Sequence, residues 1–296
     1  MAGETMTNGS STALMARVAL GRALRRLRDE VHGLRLNEVA EALGYDVSLI
    51  SRIETGKRPC SQVIFGKLMD LYEVPAEERE ELAQLQASSN DRRPPWWVRY
   101  REIISSSYEQ VIAFEDAAQS VFEYQPGIVP GLLQTEDYAR AVTGVGFASL
   151  GPDQIDGLVE VRMVRQRERL FDTSTPLQCH YVITQAALEF RVGGPAVHRR
   201  QLQHLLDLSE HPSVTLRVIP YEKGEEGCQI AGFRIFRFPD EHMPDVAFGE
   251  SVAGSLTIDD PRDLRRMHRL FRSLTGVALT VDETRDLVSR VKDRED

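Results

Sequence analysis

The sequence lacks any apolar run close to the roughly 20 residues that a helix needs to cross a bilayer. Residues 1–16 are rich in Ser, Thr and Ala but have neither the apolar stretch nor the cleavage site of a signal peptide. These absences argue against a membrane protein, and they predict a disordered leader at residues 1–16. We expect the chain to act in the cytoplasm.

Cysteine is scarce, and recognisable catalytic motifs are absent. Cys60, Cys179 and Cys228 are far apart, and no pair has the spacing of metal ligands. Such a set is typical of reduced thiols. The seven histidines are scattered, and the H-E-x-x-H, Walker A, G-x-G-x-x-G and G-x-S-x-G motifs are missing. We therefore expect no enzymatic activity, no cofactor and no metal site.

The net charge of −9 is unevenly distributed along the chain. Residues 17–67 contain ten Lys and Arg against six Asp and Glu, whereas residues 76–296 contain 26 against 36. A basic N-terminal region followed by an acidic remainder favours one region that binds nucleic acid and another that is repelled by it.

Apolar residues recur every three to four positions in the first part of the chain, which predicts a compact domain of five helices. Gly33, Gly44 and Gly56 follow three of the helical segments and suit the left-handed conformation that ends a helix. A polar stretch ending in Pro-Pro then predicts a linker. The predicted segments are a domain at 17–88, with helices at 20–31, 36–43, 47–55, 61–72 and 75–85, and a linker at 89–95.

The segment 33–56, GLRLNEVAEALGYDVSLISRIETG, has the order helix, tight turn, helix. Ala40 lies where the two helices would cross, and Asp46 is suited to cap the second helix. The predicted shared core consists of Leu36, Val39, Leu43, Ile50 and Ile53. A helix-turn-helix requires this close crossing and shared core because it must present its second helix to the major groove of DNA. A plain helical bundle is the alternative.

These residues resemble the phage-repressor-like, or XRE, family of regulators. The most specific match is SLISRIETGKR at 48–58. Further matches are Gly33, Leu34, Glu38, Ala40, Leu43 and Gly44. The resemblance implies a five-helix domain similar to that of the lambda repressor. Leu36 departs from the family, which usually has a Gln there that helps to anchor a phosphate.

The candidate DNA contacts lie on the second helix of this motif, just after it, and at the start of the first helix of the motif. The candidate base readers are Val47, Ser48, Ser51 and Arg52. The candidate phosphate contacts are Lys57, Arg58, Arg35 and Asn37. Arg52 can reach guanine O6 and N7 as a fork, whereas Lys57 and Arg58 could instead belong to a solvated loop. Glu54 is expected on the inner side, paired with an arginine of the first helix such as Arg28.

One such motif reads only a few base pairs, so we expect a homodimer on an inverted-repeat operator in double-stranded DNA. The acidic C-terminal region is expected to supply the dimer contact because it is the larger part of the chain.

The C-terminal region mixes helical and strand patterns, which predicts an α+β domain at 96–296 with a small, mostly antiparallel or mixed sheet. Residues 96–171 look helical, with breaks at 126–131 and 144–152. The candidate strands are 177–184, 214–219, 232–238 and 246–249. The third strand has apolar residues on both sides, so we expect it to be covered on both faces. Asp260 and Thr280 are suited to cap two final helices.

Several stretches of this region resemble the C-terminal domain of actinomycete regulators of the WhiJ-like, or antitoxin-like, group. The most specific is VPGLLQTEDYARA at 129–141. Other matches are RMVRQ at 162–166, ALEFRVGG at 187–194, QLQHLL at 201–206, VTLRVIP at 214–220 and AGF at 231–233. The resemblance implies a switch in which a small BldB-like partner protein, encoded nearby, accompanies the regulator.

Two sets of side chains are candidates for partner binding. They are Trp96, Trp97, Arg162, Arg165 and Arg169. The tryptophans could instead form an aromatic plug between domains. The arginines share one helix face at i, i+3 and i+7 and could instead be a solvated face paired with Glu160 and Glu168.

Two other functions stay open at this point. A ligand-responsive repressor would bind a small molecule in the C-terminal domain, in an aromatic pocket near Phe233, Phe236 and Phe238. A non-transcriptional adaptor would use the helix-turn-helix to dock protein, although the exposed Ser48, Ser51 and Arg52 argue against it.

Overall fold

The computed structural model describes residues 8–90, 95–146, 150–171, 173–227, 231–239, 243–251 and 254–294. The chain divides into two compact units, Met1–Val98 and Arg99–Asp296. Residues 91–94 of the predicted linker and residues 1–7 of the predicted leader lie outside the described residues. Among the described residues, no helix is both long and apolar enough to cross a membrane.

The N-terminal unit is helical, as predicted. Its helices are α1 (Asn8–Arg26), which continues as a π-helical turn (Leu27–Val31), α2 (Leu36–Leu43), α3 (Val47–Glu54), α4 (Gln62–Leu71) and α5 (Ala76–Ser89). Helix α1 begins twelve residues before the predicted start. Residues 8–16, where the sequence predicts a leader, form its first turns, and Ala13, Met15 and Ala16 are buried there. Tertiary burial of this kind stabilises a helical segment whose own propensity is weak.

The core of this unit confirms the predicted helix-turn-helix packing. Ala40 is buried where α2 and α3 meet, together with Val39, Ile50 and Ile53. Leu36 and Leu43 are partly buried against the same cluster. Helices α2 and α3 are therefore held at a fixed angle by apolar contacts on their inner sides.

The C-terminal unit combines seven described helices with one six-stranded sheet. Its helices are α6 (Ser106–Ala117), α7 (Glu136–Gly146), α8 (Pro152–Gln166), α9 (Gln185–Glu189), α10 (Pro195–Leu208), α11 (Pro261–Val277) and α12 (Val281–Asp293). Its strands are β1 (Ser120–Gln125), β2 (Gln178–Thr184), β3 (Val214–Ile219), β4 (Phe233–Arg237), β5 (Val246–Ser251) and β6 (Gly254–Ile258). A π-helical turn (Arg167–Phe171) continues α8. Short 3₁₀ turns lie at Gly131–Leu133 and Tyr221–Glu226, and a third, Trp96–Tyr100, spans the boundary between the two units.

The sheet is mixed, with strand order β3-β2-β1-β4-β5-β6. Strands β1, β2 and β3 are parallel, and β4, β5 and β6 add antiparallel partners beyond β1. The four predicted strands are confirmed. Strands β1 and β6 are additional, and β1 lies in the region that was predicted to be helical. The charged residue Glu123 interrupts the apolar pattern expected of a buried strand. It is buried in β1 because it pairs with Arg234 of β4, 3.2 Å away.

Both faces of the sheet are covered. Helix α11 packs Phe271 and Leu274 against a cluster that includes Tyr124 and Ile235. On the other face, the Phe114 ring of α6 lies 6.0 Å from that of Phe238. The expectation that the third predicted strand, β4, is covered on both faces is confirmed.

Candidate nucleic-acid interface

The turn between α2 and α3 is fixed at three points. Gly44 ends α2 in the left-handed conformation, with φ of +70°. The Asp46 carboxylate accepts a hydrogen bond from the Ser48 backbone N–H at 2.7 Å and starts α3. From α4, Lys67 donates to the Leu43 carbonyl at 3.3 Å. The turn therefore has little freedom to change the direction of α3.

Asp46 carries a negative charge at the start of α3. The Ser48 hydroxyl and then the Ser48 backbone N–H donate to it and lower the pKa of the Asp46 carboxyl. The carboxylate is therefore ionised at neutral pH. Because the carboxylate bonds to α3 itself, it acts as a helix cap. Its negative charge also interacts favourably with the positive N-terminal end of the helix dipole.

The inner side of α3 is anchored by a buried ion pair. Arg28 donates through Nε to Glu54 Oε1 at 2.7 Å and through Nη2 to Glu54 Oε2 at 3.1 Å. A third bond joins Arg28 to the Leu34 carbonyl at 2.8 Å. The hydrogen bond with Glu54 raises the pKa of the Arg28 guanidinium, against the effect of burial. The predicted pairing of Glu54 with Arg28 is confirmed, and Glu54 points away from any DNA on the outer side.

Two glycines let α1 approach the end of α3 closely. A Cβ atom on Gly21 would lie 2.5 Å from the Glu54 carbonyl oxygen and 2.6 Å from that of Ile53. A Cβ on Gly56, where φ is +69°, would lie 2.7 Å from the Val18 side chain. Gly21 is not among the residues predicted from the sequence, because a glycine within a helical pattern costs only about 1 kcal/mol relative to Ala and its packing partner cannot be read from the pattern.

The outer side of α3 presents most of the predicted contact residues. Val47 is 43% exposed, Ser48 and Arg52 are exposed, and Ser51 is half-buried. The guanidinium of Arg52 makes no hydrogen bond or ion pair within the described part of the chain. One helix face thus combines an apolar side chain, hydroxyls and a fork of N–H donors, which together can read base edges.

The predicted phosphate contacts are also exposed. They are Arg35, Asn37, Lys57 and Arg58. The Arg35 backbone N–H donates to the Glu38 carboxylate at 2.6 Å, which fixes the start of α2. Among the residues that the structure describes, the side chains of Lys57 and Arg58 have no hydrogen-bond or ion-pair partner. The structure places these cations on the surface, and their contact with phosphate remains a prediction.

The predicted arginine stripe of α8 has an interior role. Arg165 is 3% exposed and donates to both Glu115 oxygens, at 2.8 and 2.5 Å, and to the Tyr108 hydroxyl at 2.7 Å. The prediction that Arg165 contacts a partner is wrong, because a buried guanidinium bonded to Glu115 and Tyr108 cannot reach a partner protein. The alternative pairing with Glu160 and Glu168 is not observed for it either.

Arg162 and Arg169 are half-buried and also donate inward. Arg162 donates to Gln134 Oε1 at 2.7 Å, and Arg169 donates to the Ala118 carbonyl at 2.6 Å. Gln134 is itself buried and donates to the Val129 carbonyl at 2.6 Å. The bonds of Arg162 and Gln134 hold the 129–135 turn, the start of the VPGLLQTEDYARA stretch, against α8. The bond of Arg169 joins the segment after α8 to the end of α6. A partner contact of Arg162 or Arg169 remains a prediction.

The tryptophan pair occupies a 3₁₀ turn, with the two rings edge to face at 5.6 Å. Trp97 is buried and Trp96 is half-buried. In the free chain, Trp97 therefore offers little surface to a partner.

The aromatic residues considered for a ligand pocket form packed core instead. Phe233 lies 6.0 Å from the Tyr124 ring, and Phe236 lies 5.8 Å from the Phe248 ring. An open cavity of about 390 Å³ lies elsewhere in the same unit, between the π-helical turn that follows α8 and the end of α10. It is lined by Phe171, His204, Asp207, Leu208, Glu210, His211 and Pro212.

The described thiols are buried and chemically quiet. Burial raises the pKa of Cys60 and of Cys179 to about 12, so both remain protonated at neutral pH. Cys228 lies outside the described residues. Among the described residues, no group of three or more His, Cys, Asp or Glu could hold a metal ion.

Two family descriptions match the chain, one for each unit. Residues 19–82 match the description "Helix-turn-helix domain". Residues 108–290, more than half of the chain, match "Domain of unknown function (DUF5753)". No curated protein and no solved structure matches the chain. A helix-turn-helix domain at the N-terminus thus precedes the larger domain, and the chain belongs to the DUF5753 family.

Proposed function

We propose that this chain is a transcriptional regulator that reads a specific DNA sequence with α3. One observation carries the proposal: the inner side of α3 is locked by Ile53 and Glu54, while Val47, Ser48 and Arg52 on its outer side face solvent. In helix-turn-helix proteins, the N-terminal residues of the second helix contact base edges. The match of residues 19–82 to a helix-turn-helix domain supports the same conclusion.

Substitution of Arg52 tests this proposal on a duplex selected from a random pool. Arg52→Ala should weaken binding by about 1–3 kcal/mol and relax the preference at one base pair. Lys57→Ala should weaken binding on all sequences alike and lower the salt slope by about 1. Arg25→Ala removes the same charge from the exposed side of α1 and serves as the control. Wild-type affinity and selectivity in Arg52→Ala would contradict base reading by α3.

The proposed regulator is a homodimer on an inverted repeat, with the XRE-type arrangement that the sequence resembles. Support comes from the small number of base pairs that one recognition helix reaches. Gel filtration with light scattering should show twice the chain mass of 33.4 kDa at micromolar concentration. A monomer at that concentration would contradict the proposal.

In this proposal, a small BldB-like partner protein binds the C-terminal unit and controls the regulator. The support is the resemblance of residues 129–141 and the later stretches to the WhiJ-like group. Adding the small protein encoded beside the gene should release or change the bound DNA sequence. A mixture that leaves DNA binding unchanged and shows no complex in gel filtration would contradict partner control.

A ligand-responsive repressor is the second candidate, and the cavity beside Phe171 favours it. The Nε2 atom of His204 is buried in the described structure without a hydrogen-bond partner. Burial lowers the pKa of His204, so the ring is neutral and can donate to or accept from a small polar molecule. Native mass spectrometry of the purified chain should then show a bound small molecule that is lost in His204→Leu.

A further inference from the structure

Helix α11 presents an outer face made of arginine. Its inner side carries Leu264, Phe271 and Leu274, which are buried against the sheet. At about 100° per residue, all the arginines of the helix fall within about 120° of arc on the opposite side. They are Arg262, Arg265, Arg266, Arg269 and Arg272, and all are exposed. We call this surface the α11 arginine face.

No acidic residue of α11 falls within the arc of the α11 arginine face. None of its guanidinium groups makes a hydrogen bond or an ion pair within the described ranges of the chain. Asp260 caps the helix and lies in the field of Arg262 and Arg265, but its carboxylate is occupied by the backbone N–H groups of residues 262 and 263. The only other residues within the same arc are Ser273 and Gly276.

This concentration of positive charge is a local exception. Residues 99–296 contain 23 Lys and Arg against 31 Asp and Glu. Like charges three and four residues apart on a helix destabilise it, whereas opposite charges at the same spacing stabilise it. An unpaired arginine face inside an acidic unit therefore points to an external anion.

We propose that the α11 arginine face binds the phosphate backbone of duplex DNA without reading its sequence. The inference rests on the proposed function, which brings DNA to this chain, but concerns a different surface. Arg262 and Arg272 are about 15 Å apart along the helix axis. Duplex DNA carries about one negative charge per 1.7 Å of its length, so several phosphates lie within that span. The guanidinium fork matches the geometry of phosphate oxygens.

The composition of the α11 arginine face favours DNA over a protein as its binding partner. Protein interfaces have an apolar core with charged residues depleted at the centre. Interfaces with DNA are more polar and much more positively charged. The α11 arginine face has no exposed apolar anchor between its cations, so it fits a polyanion better than an acidic protein.

The salt dependence of DNA binding by the full chain tests the inference. The probe is a duplex of about 30 base pairs of random sequence, titrated between about 50 and 200 mM salt. The variant R265Q/R269Q/R272Q should make the slope of log Kobs against log salt shallower by about 2–3, because each lost phosphate contact contributes about 0.9. The charge-preserving variant R265K/R269K/R272K should keep the wild-type slope.

A matched control distinguishes this face from general charge. R167Q/K223Q/R290Q removes three exposed cations from other parts of the same unit and should leave the slope unchanged. Circular dichroism should show the same thermal transition for all variants, since every position is exposed. An unchanged slope in R265Q/R269Q/R272Q, or an equal change in the control, would overturn the inference.

A third variant separates this inference from the proposed function. R52A/K57A/R58A removes three of the predicted contacts of the helix-turn-helix and should relax the sequence preference and weaken binding, while retaining the contribution of α11 to the salt slope. If this variant binds like the wild type while R265Q/R269Q/R272Q does not, the role of α3 is overturned and that of α11 stands. If the slope depends on the α3 region alone, the reverse holds. A wild-type chain that binds no duplex at all overturns both.

Discussion

The α8 segment, which includes the π-helical turn after α8, and helix α11 carry arginines at the same spacing, but these arginines point inward in the first and outward in the second. Arg162, Arg165 and Arg169 of the α8 segment stand at i, i+3 and i+7, and so do Arg262, Arg265 and Arg269 of α11. The first set donates to groups inside the C-terminal unit. The second set is exposed and makes no such bond within the described residues. Spacing establishes that arginines share a helix face, but it does not establish which way the face points.

The neighbouring apolar residues explain the difference. In α8, Leu158, Val159, Val161 and Val164 are all buried, and they lie on several sides of the helix. A helix that is apolar on most sides is enclosed by its neighbours, so its arginines must find partners inside. In α11, the buried residues occupy one side only, as in a surface helix. The distribution of apolar residues between the arginines is thus the informative signal.

The largest effect should come from breaking the interior pair in α8. Arg165→Met leaves the Glu115 carboxylate buried without its cation and should reduce the free energy of unfolding by about 3–5 kcal/mol. Urea denaturation monitored by circular dichroism measures this change. The double variant R165M/E115L replaces the pair with apolar side chains and should recover most of the loss. A loss below about 1 kcal/mol for Arg165→Met would mean that the pair behaves like an exposed one.

Arg162→Leu should have an intermediate effect. It removes the donor to the buried Gln134 Oε1 atom, which should cost about 1–3 kcal/mol of unfolding free energy. It should also raise the pKa of Tyr108, because Arg165 and Arg162 together outweigh burial and hold that pKa below its ordinary value. Ultraviolet titration of tyrosinate, with Tyr108→Phe as reference, measures the shift. An unchanged pKa would show that Arg162 does not act on this ring.

Asp260→Ala should have a smaller effect that depends on pH. Hydrogen bonds from the backbone N–H groups of residues 262 and 263 lower the pKa of Asp260 below 3.8 in the folded chain. The cap therefore stabilises the fold above that value and is lost as the pH falls through the lowered pKa. Asp260→Ala should lower Tm at neutral pH and make less difference in strong acid. Asp260→Asn retains the cap, so a Tm equal to that of Asp260→Ala would contradict the argument.

Arg269→Met should have the smallest effect on stability. It makes the same chemical change as Arg165→Met, but on the exposed side of α11, and should alter the unfolding free energy by no more than about 0.5 kcal/mol. The same urea denaturation applies. A loss comparable with that of Arg165→Met would show that α11 and α8 are alike in using their arginines for the interior.

The sequence predicted the helix-turn-helix in detail because its signals are local. Gly44 and Asp46 mark the turn within three residues of each other, and the apolar period places Ala40, Ile50 and Ile53 inward. The pairing of Arg28 with Glu54 was also predicted. The outward direction of Val47, Ser48 and Arg52 agrees with the predicted interface, while their contact with DNA is still a prediction.

The sequence was less informative where a residue depends on a distant partner. Glu123 can be buried in β1 because Arg234 lies opposite on β4, more than one hundred residues later. Glu115 and Arg165 are fifty residues apart in the chain and satisfy each other only in the fold. The periodicity of apolar residues within one segment does not reveal such long-range pairs. For this reason β1 was predicted as helix and Arg165 as a surface contact.

Selection of bound duplexes from a random DNA pool by the whole 296-residue chain is the most direct test of sequence reading by α3. A short inverted repeat should be enriched, with half-sites about one helical turn apart. Binding without any enriched sequence, or no binding at all, would contradict the claim that this chain reads DNA through α3.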